Sequence, residues 1–235
     1  MLMKLKHLLN KFGYDVKRYH PVFELVTKSL NIRTVIDIGA NVGNFSKEMR
    51  NRFPDAHIYA FEPLPDCFAT IRERFANDKN CTLFPVALGD NAGESMIERS
   101  SFHPSSSLLH MSTLHKKIYP KTKDLTQETI QLARLDDLVD ASLLAETILT
   151  KIDVQGFEDK VIRGGKNVLS RSSLIIVETS FIPLYENQPL FGDIHNILTP
   201  LGFSYYGDMG RHYSPLNGKM LYEDSLYIKD ELISA

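Results

Sequence analysis

The segment Thr34-Val-Ile-Asp-Ile-Gly-Ala-Asn-Val-Gly43 constrains the fold more than any other stretch of this chain. Thr34, Val35, Ile36 and Ile38 are β-branched and read as a buried strand. Gly39 and Gly43 then let the backbone turn sharply, and a helical pattern follows from about residue 44 to 52. A strand running through a glycine loop into a helix is the opening unit of an α/β sheet, whose ligands bind beyond the carboxyl ends of the strands. The loop lacks the full dinucleotide fingerprint, because its order is Gly39-x-Asn41-x-Gly43. Asp37, two residues before the first glycine, opposes a pyrophosphate at the helix start and suits a cation.

Strand and helix signals keep alternating, which predicts a mostly parallel sheet covered by helices. A second strand is expected over 57–61, followed by Glu62, then a helix over 66–75 behind Pro65. Residues 82–84 and 86–88 read as a third strand broken around Pro85, and 94–99 as a returning strand after the turn Gly89-Asp90-Asn91-Ala92-Gly93. Residues 100–127 are rich in Ser, His, Lys and Thr, and read as a long insertion, a mobile lid or a disordered loop. Strands are expected again at 130–134, at 147–152 ending on Asp153, and at 174–177 ending on Glu178. A helix over 157–164, a helix over 194–201 stopping at Gly202, and an antiparallel pair at 203–206 and 225–228 complete the pattern. Asp37, Glu62, Asp153 and Glu178 would then line one rim of the sheet. Glu62 lies 25 residues after Asp37, near the spacing at which an acid accepts both hydroxyls of a ribose. A cationic, phosphate-free nucleoside fits both acids, and S-adenosylmethionine is such a molecule.

Composition narrows the classes. With 235 residues, 43% hydrophobic and 24% charged, the chain can bury the core of one α/β domain. The net charge of −2 offers no basic footprint for nucleic acid. Cys67 and Cys81 are too few for a disulfide framework or a zinc cluster, and are read as buried free thiols in a reducing cytoplasm. No apolar run is long enough to span a membrane. The cationic start carries Leu2, Leu5, Leu8 and Leu9 on one helical face. It is read as a helical extension, residues 1–30, packing on the domain or on a second copy as a homodimer, with membrane-surface attachment as the alternative.

At these residues the chain resembles the FkbM-type methyltransferases. Val35-Ile-Asp-Ile-Gly-Ala-Asn-Val-Gly43 is similar to that family's cofactor loop, and Ala60-Phe-Glu-Pro63 to its ribose segment. Later blocks resemble it as well: Val86-Ala-Leu-Gly-Asp90, Ser106-Ser-Leu108, Arg134-Leu-Asp-Asp-Leu138, Lys151-Ile-Asp-Val-Gln-Gly-Phe-Glu158 and Pro183-Leu-Tyr-Glu-Asn-Gln-Pro-Leu-Phe191. The family commonly has Glu where this chain has Gln155, which weakens any role needing a second carboxylate there. The resemblance implies a Rossmann-like class I fold over residues 31–235. Its seven-stranded, mostly parallel sheet would have an antiparallel C-terminal strand and an insertion at about 92–134. It also implies methyl transfer from S-adenosylmethionine to a hydroxyl of a sugar, glycan or secondary metabolite. A nucleic-acid or protein methyltransferase, or a cofactor-binding protein without activity, are the alternatives.

The site expectations follow. Asp37, Gly39, Asn41, Gly43, Glu62, Ala87 and Asp90 are expected around the cofactor, with the 86–90 turn near its adenine. Ser106, Ser107 and Glu178 are expected around the acceptor. Asp153, at the end of an apolar strand, is the candidate catalytic carboxylate; His110 in the insertion and His212 are the alternatives. His103 and His115, also in the insertion, are read as surface histidines. No spacing matches a standard metal motif, so a carboxylate-bound divalent metal has no support in the sequence.

Overall fold

The computed structural model describes residues 21–233. The chain divides into two units, residues 1–30 and 31–235. In the first, helix α1 (Pro21–Ser29) ties Thr27 Oγ1 to the Phe23 carbonyl at 2.6 Å. The amphipathic start with Leu2, Leu5, Leu8 and Leu9 lies outside the described residues. No helix among the described residues is long and apolar enough to cross a membrane.

The second unit is built on ten strands: β1 (Thr34–Ile38), β2 (His57–Phe61), β3 (Cys81–Phe84), β4 (Ala87–Leu88), β5 (Gly93–Ser100), β6 (Leu125–Ala133), β7 (Ile148–Ile152), β8 (Ser172–Ser180), β9 (Phe203–Tyr213) and β10 (Met220–Lys229). Seven form the main sheet in the order β3-β2-β1-β7-β8-β10-β9, with β10 antiparallel to both neighbours. This is the Rossmann-like architecture expected, with its antiparallel strand near one edge. Every residue of β1 is buried, as a central parallel strand covered on both faces requires. Helices α2 (Asn44–Arg52) and α3 (Pro65–Arg74) follow β1 and β2. The largest core cluster joins Ile36, Ile38 and Phe61 to Ile148, Ile152, Ile175 and Val177, and to Val161, Ile194 and Leu198 of the covering helices.

Three expectations are corrected. The third strand does not resume after Pro85. Proline has no N–H to donate to a ladder, and Ala87–Leu88 instead pairs with β6 in a separate sheet of order β4-β6-β5. Residues 100–127 are not a loop. They carry a 3-10 turn at His103–Ser105 and a helix, α4 (Thr113–Ile118), capped by Ser112 Oγ accepting from the His115 amide. Met111 and Ile118 supply the reason: they pack with Leu184, Tyr185 and Leu221 into a small core of their own. His115 lies inside that core rather than on the surface, edge-on to Tyr119 and Tyr185, and burial lowers its pKa to about 4. Third, β8 continues past Glu178 to Ser180, so that carboxylate sits within the strand. Of the two free cysteines, Cys67 is buried and Cys81 only partly so.

Helices α5 (Leu135–Leu138), α6 (Glu158–Gly164), α7 (Lys166–Leu169) and α8 (Phe191–Leu198) complete the layers. The end of α6 lies directly on the Gly89 backbone, and a Cβ on Gly164 would overlap the Gly89 carbonyl. Gly164→Ala is therefore expected to destabilise the fold by about 1–3 kcal/mol, the usual range for overpacking. Gly192→Ala, in α8 with open space around the added carbon, should be neutral or stabilising by up to about 1 kcal/mol. Urea unfolding of both variants checks the pair.

Candidate functional site

Parallel register brings the site together. Asp37 of β1 stands opposite Ala60 of β2 and Lys151 of β7, so the carboxyl ends of the three strands open at one level. The crossing is sealed by backbone hydrogen bonds from Gly39 N to Phe61 O (3.1 Å) and from Asp153 N to Ile38 O (3.0 Å). Gly39 has φ +79°, and a Cβ there would overlap the Asp153 carbonyl. The glycine is required twice over, by conformation and by approach.

Above this crossing lies a cavity of about 390 Å³. Of the residues expected at the cofactor, Asp37, Gly39, Asn41, Glu62 and Ala87 line it. Gly43 does not: it packs against Ile71. Asp90 lies outside the lining and faces Lys160 Nζ at 3.4 Å. Ser106, Ser107 and Asp153 also line the cavity, whereas Glu178, His110 and His212 do not. His110 is exposed and paired with Glu98 at 2.6 Å, and His212 is stacked on Tyr222. Lys151, Gln155 and His103 also belong to the lining, beyond the residues that the sequence points to. Lys151 carries a signal in the sequence: a charged residue in a short strand that is otherwise Ile, Leu and Thr.

Glu62 is 6% exposed. Its Oε2 accepts from the Asn41 amide (2.8 Å) and its Oε1 from the Leu64 amide (2.9 Å), so the carboxylate is held by the backbone of two loops. Burial is the main cause that pushes its pKa up to about 7, with those amides opposing the rise. Asp37 is fully buried. One oxygen, Oδ2, accepts from the Ser46 amide (3.1 Å) and hydroxyl (2.6 Å), tethering β1 to the first turn of α2. The other, Oδ1, is a buried acceptor without a hydrogen-bond partner.

Asp153 carries the second half of the site. Its Oδ2 accepts from Lys151 Nζ at 2.9 Å and its Oδ1 from Gln155 Nε2 at 2.8 Å, with 30% of the side chain open. Burial opposes its ionisation, but the Lys151 ammonium and these hydrogen bonds outweigh it, so the carboxyl lies below its ordinary value. Glu178 behind it is driven well above its ordinary value by burial and then by the charges of Asp153 and Glu158. Glu158 organises the turn, its Oε1 accepting from the amides of Val154 (3.1 Å) and Gly156 (3.0 Å). The site thus holds an ionised carboxylate beside an ammonium, over neighbouring acids biased toward the protonated form.

Asp66, Cys67 and His103 converge at the cavity edge, and their donor atoms lie within 4.8 Å of one another. The two imidazole nitrogens face different partners, Nδ1 the Cys67 thiol (3.3 Å) and Nε2 the Asp66 carboxylate (3.4 Å), while Arg99 occupies the same Asp66 oxygen at 2.6 Å. These contacts form a thiol–imidazole–carboxylate chain, and one ion cannot use both nitrogens.

Residues 37–205 match the family model described as Methyltransferase FkbM domain. The chain is 28% identical over 206 residues to the 2-O-methyltransferase NoeI of Sinorhizobium fredii, covering 80% of this chain and 82% of that one. It is 28% identical over 165 residues to the hexuronic acid methyltransferase AglP of Haloferax volcanii, covering 70% and 63%. It is also 28% identical over 154 residues to the 31-O-demethyl-FK506 methyltransferase FkbM of Streptomyces tacrolimicus, covering 55% and 58%. Among solved structures, the methyltransferase FkbM of Methylobacillus flagellatus superposes with a TM-score of 0.52 at 14% identity. That likeness concerns the fold: it covers 84% of this chain, which spans 44% of that longer protein.

The Asp37–Ser46 tether is expected to hold the glycine loop in place. Ser46→Ala removes a buried hydroxyl–carboxylate hydrogen bond and should lower stability by about 1–3 kcal/mol. A thermal melt at neutral pH measures it, and an unchanged midpoint would show that the tether contributes nothing.

Proposed function

The chain belongs to the FkbM methyltransferase family, and from that premise we propose that it transfers a methyl group from S-adenosylmethionine to a hydroxyl of a sugar, glycan or secondary metabolite. The observation that carries the reading is the cavity where β1, β2 and β7 end. It combines a backbone-anchored Glu62, a buried Asp37 Oδ1 without a partner and the loop of Gly39, Ala40 and Asn41 along its wall. These residues suit a cationic nucleoside: Glu62 to accept ribose hydroxyls, Asp37 and the loop backbone to meet the ammonium end, and the Val86–Leu88 segment to lie against the adenine. The relatives' names, which specify 2-O-methylation, a hexuronic acid and 31-O-demethyl-FK506, support an oxygen acceptor of this class.

When bound, S-adenosylmethionine supplies an electrophilic methyl group on a sulfonium. The protein's part is to orient the acceptor, exclude water and receive a proton. Asp153, open to the cavity and held ionised, accepts a hydrogen bond from the acceptor hydroxyl and takes its proton as the oxygen loses it. A carboxylate below its ordinary pKa is a weak base at equilibrium, so orientation comes first and proton transfer late. Ser106 and Ser107, brought over the cavity by the insertion, close the acceptor side. The two unpaired cysteines support a reducing, cytoplasmic setting.

Three outcomes test this. Glu62→Ala should weaken binding of S-adenosylhomocysteine by about 1.5–3 kcal/mol in calorimetry, the loss expected for charge-assisted hydrogen bonds. In the wild type, ribose hydroxyls favour the ionised form of a carboxyl whose pKa is about 7. Affinity should therefore rise with pH through about 7, level off above it and weaken several-fold toward about pH 5.5; Glu62→Gln should flatten the profile. Separately, a panel of p-nitrophenyl glycosides with radiolabelled S-adenosylmethionine tests the transfer itself. On the best of these, Asp153→Asn should lower turnover about 10²–10⁴-fold while leaving cofactor affinity nearly unchanged. A normal rate would remove the proton-accepting role from Asp153.

A further inference from the structure

Gln155 follows Asp153 by two residues and occupies an unusual place. Its φ is +57°, a left-handed conformation that costs a side-chain-bearing residue energy and persists where surrounding contacts enforce it. Three contacts do so. Ser107 Oγ donates to the Gln155 carbonyl at 2.6 Å, Tyr185 Oη donates to Gln155 Oε1 at 3.0 Å, and Gln155 Nε2 donates to Asp153 Oδ1 at 2.8 Å. The same Nε2 lies 3.3 and 3.4 Å from the two oxygens of Glu178.

The direction of the amide follows from chemistry. Tyr185 is buried, and burial together with the charges of Glu178, Glu158 and Asp153 raises its pKa well above the ordinary value, so its hydroxyl keeps its proton. The ionised Asp153 carboxylate can only accept, so it takes the amide NH₂, and the amide oxygen is left to accept from the Tyr185 hydroxyl. That one proton is shared with the Ser105 carbonyl at 3.1 Å. Ser105 and Ser107 both belong to the insertion, whose backbone pairs with β5 through Glu98 and Ser107. The path from insertion to reaction site is therefore a chain of hydrogen bonds from the Ser105 carbonyl through Tyr185 and Gln155 to Asp153, with Ser107 joining at the Gln155 carbonyl.

We propose that Gln155 and Tyr185 are positioning residues for Asp153: the Tyr185 hydroxyl sets the Gln155 amide, the amide aims the Asp153 carboxylate at the acceptor, and the seating of the insertion controls both. The inference rests on the reading of Asp153 as the residue that faces the acceptor. Other charged groups around Asp153 do not replace the amide. Lys151 on its own strand holds the other oxygen. Asp37 on β1, Glu178 on β8 and Glu158 on α6 carry like charge when ionised, and Asp224 on β10 adds to the acidic field at Glu178 and Lys151. His212 on β9 contributes a favourable field, as a side chain stacked on Tyr222. Tyr222 on β10 keeps its proton and brings no charge.

The experiment uses the full chain with ¹³C-carboxyl-labelled aspartate. The Asp153 resonance is assigned by its loss in Asp153→Asn, and titrations are compared for wild type, Tyr185→Phe and Gln155→Leu. Tyr185→Phe removes one oxygen and keeps the ring packing, so the amide oxygen loses its donor and the amide is no longer held in its aim at Asp153. The Asp153 midpoint should then rise by about one pH unit, with a comparable or larger rise in Gln155→Leu. With S-adenosylmethionine saturating at every pH, so that Glu62 does not shape the profile, the acid limb of kcat/KM for the best p-nitrophenyl glycoside should move up by the same amount, costing roughly tenfold in rate on that limb. Binding of S-adenosylhomocysteine should stay within about twofold, because Gln155 and Tyr185 act through Asp153. If both variants melt near the wild type and leave the Asp153 midpoint and the acid limb in place, the positioning role is overturned while Asp153 itself stands. If Asp153→Asn turns over normally, the reading of Asp153 falls and the inference falls with it.

Discussion

The approach of Gly39 to the Asp153 carbonyl is the contact on which the rest of the structure depends. It is possible only because residue 39 has no Cβ and adopts positive φ. With it, β1 can end beside β7 while its backbone turns across to Phe61 of β2. Every group in the cavity is placed relative to that crossing. Asp37 precedes it by two residues, Glu62 accepts from the Asn41 amide of the same loop, and Asp153 begins where it closes. A side chain at residue 39 would push β7 away and separate the two halves of the site.

Burying several carboxylates beside one ammonium has an energetic consequence. Isolated buried charges are costly, and they survive only when paired and hydrogen-bonded. Here Lys151 stabilises Asp153, and the cost shifts to Glu178, Glu158, Glu62 and Asp37, all displaced toward their neutral forms. The displacement has chemical uses. On the proposed reading, the Glu62 carboxyl answers to the hydroxyls of the cofactor, and Asp153, held ionised beside Lys151, aligns the acceptor hydroxyl. The insertion extends this arrangement because its polar residues reach the cavity while its apolar ones, Met111 and Ile118, anchor it to Leu184, Tyr185 and Leu221.

Much of this was legible in the linear sequence. Strands β1, β2 and β7 announce themselves through β-branched runs. The glycines after β1 mark the turn, and Asp37, Glu62 and Asp153 stand at positions that the periodicity predicts. The errors have a common origin. Residues 86–88 read locally as a continuation of the third strand, because nothing local says which sheet a short apolar run will join. The insertion looked like a loop because its composition is polar on average. Its order comes from a few apolar side chains meeting residues some 70 to 110 positions later. Glu178 looked like a strand end because the apolar run stops there, although the hydrogen-bonded ladder with β10 carries on to Ser180.

What the sequence alone determined is therefore the order of elements, the glycine loop and the acids at the strand ends, since each depends on propensities and spacings a few residues long. Tertiary structure decided which of those acids share a cavity, which one is ionised, and how Gln155 is turned. Those properties depend on burial and on partners such as Lys151, Tyr185 and Ser107, brought together from β7, from the segment after β8 and from the insertion. Electrostatic and hydrogen-bond energies are set by distance in space and by the exclusion of water, and neither quantity is written in the local pattern of a chain.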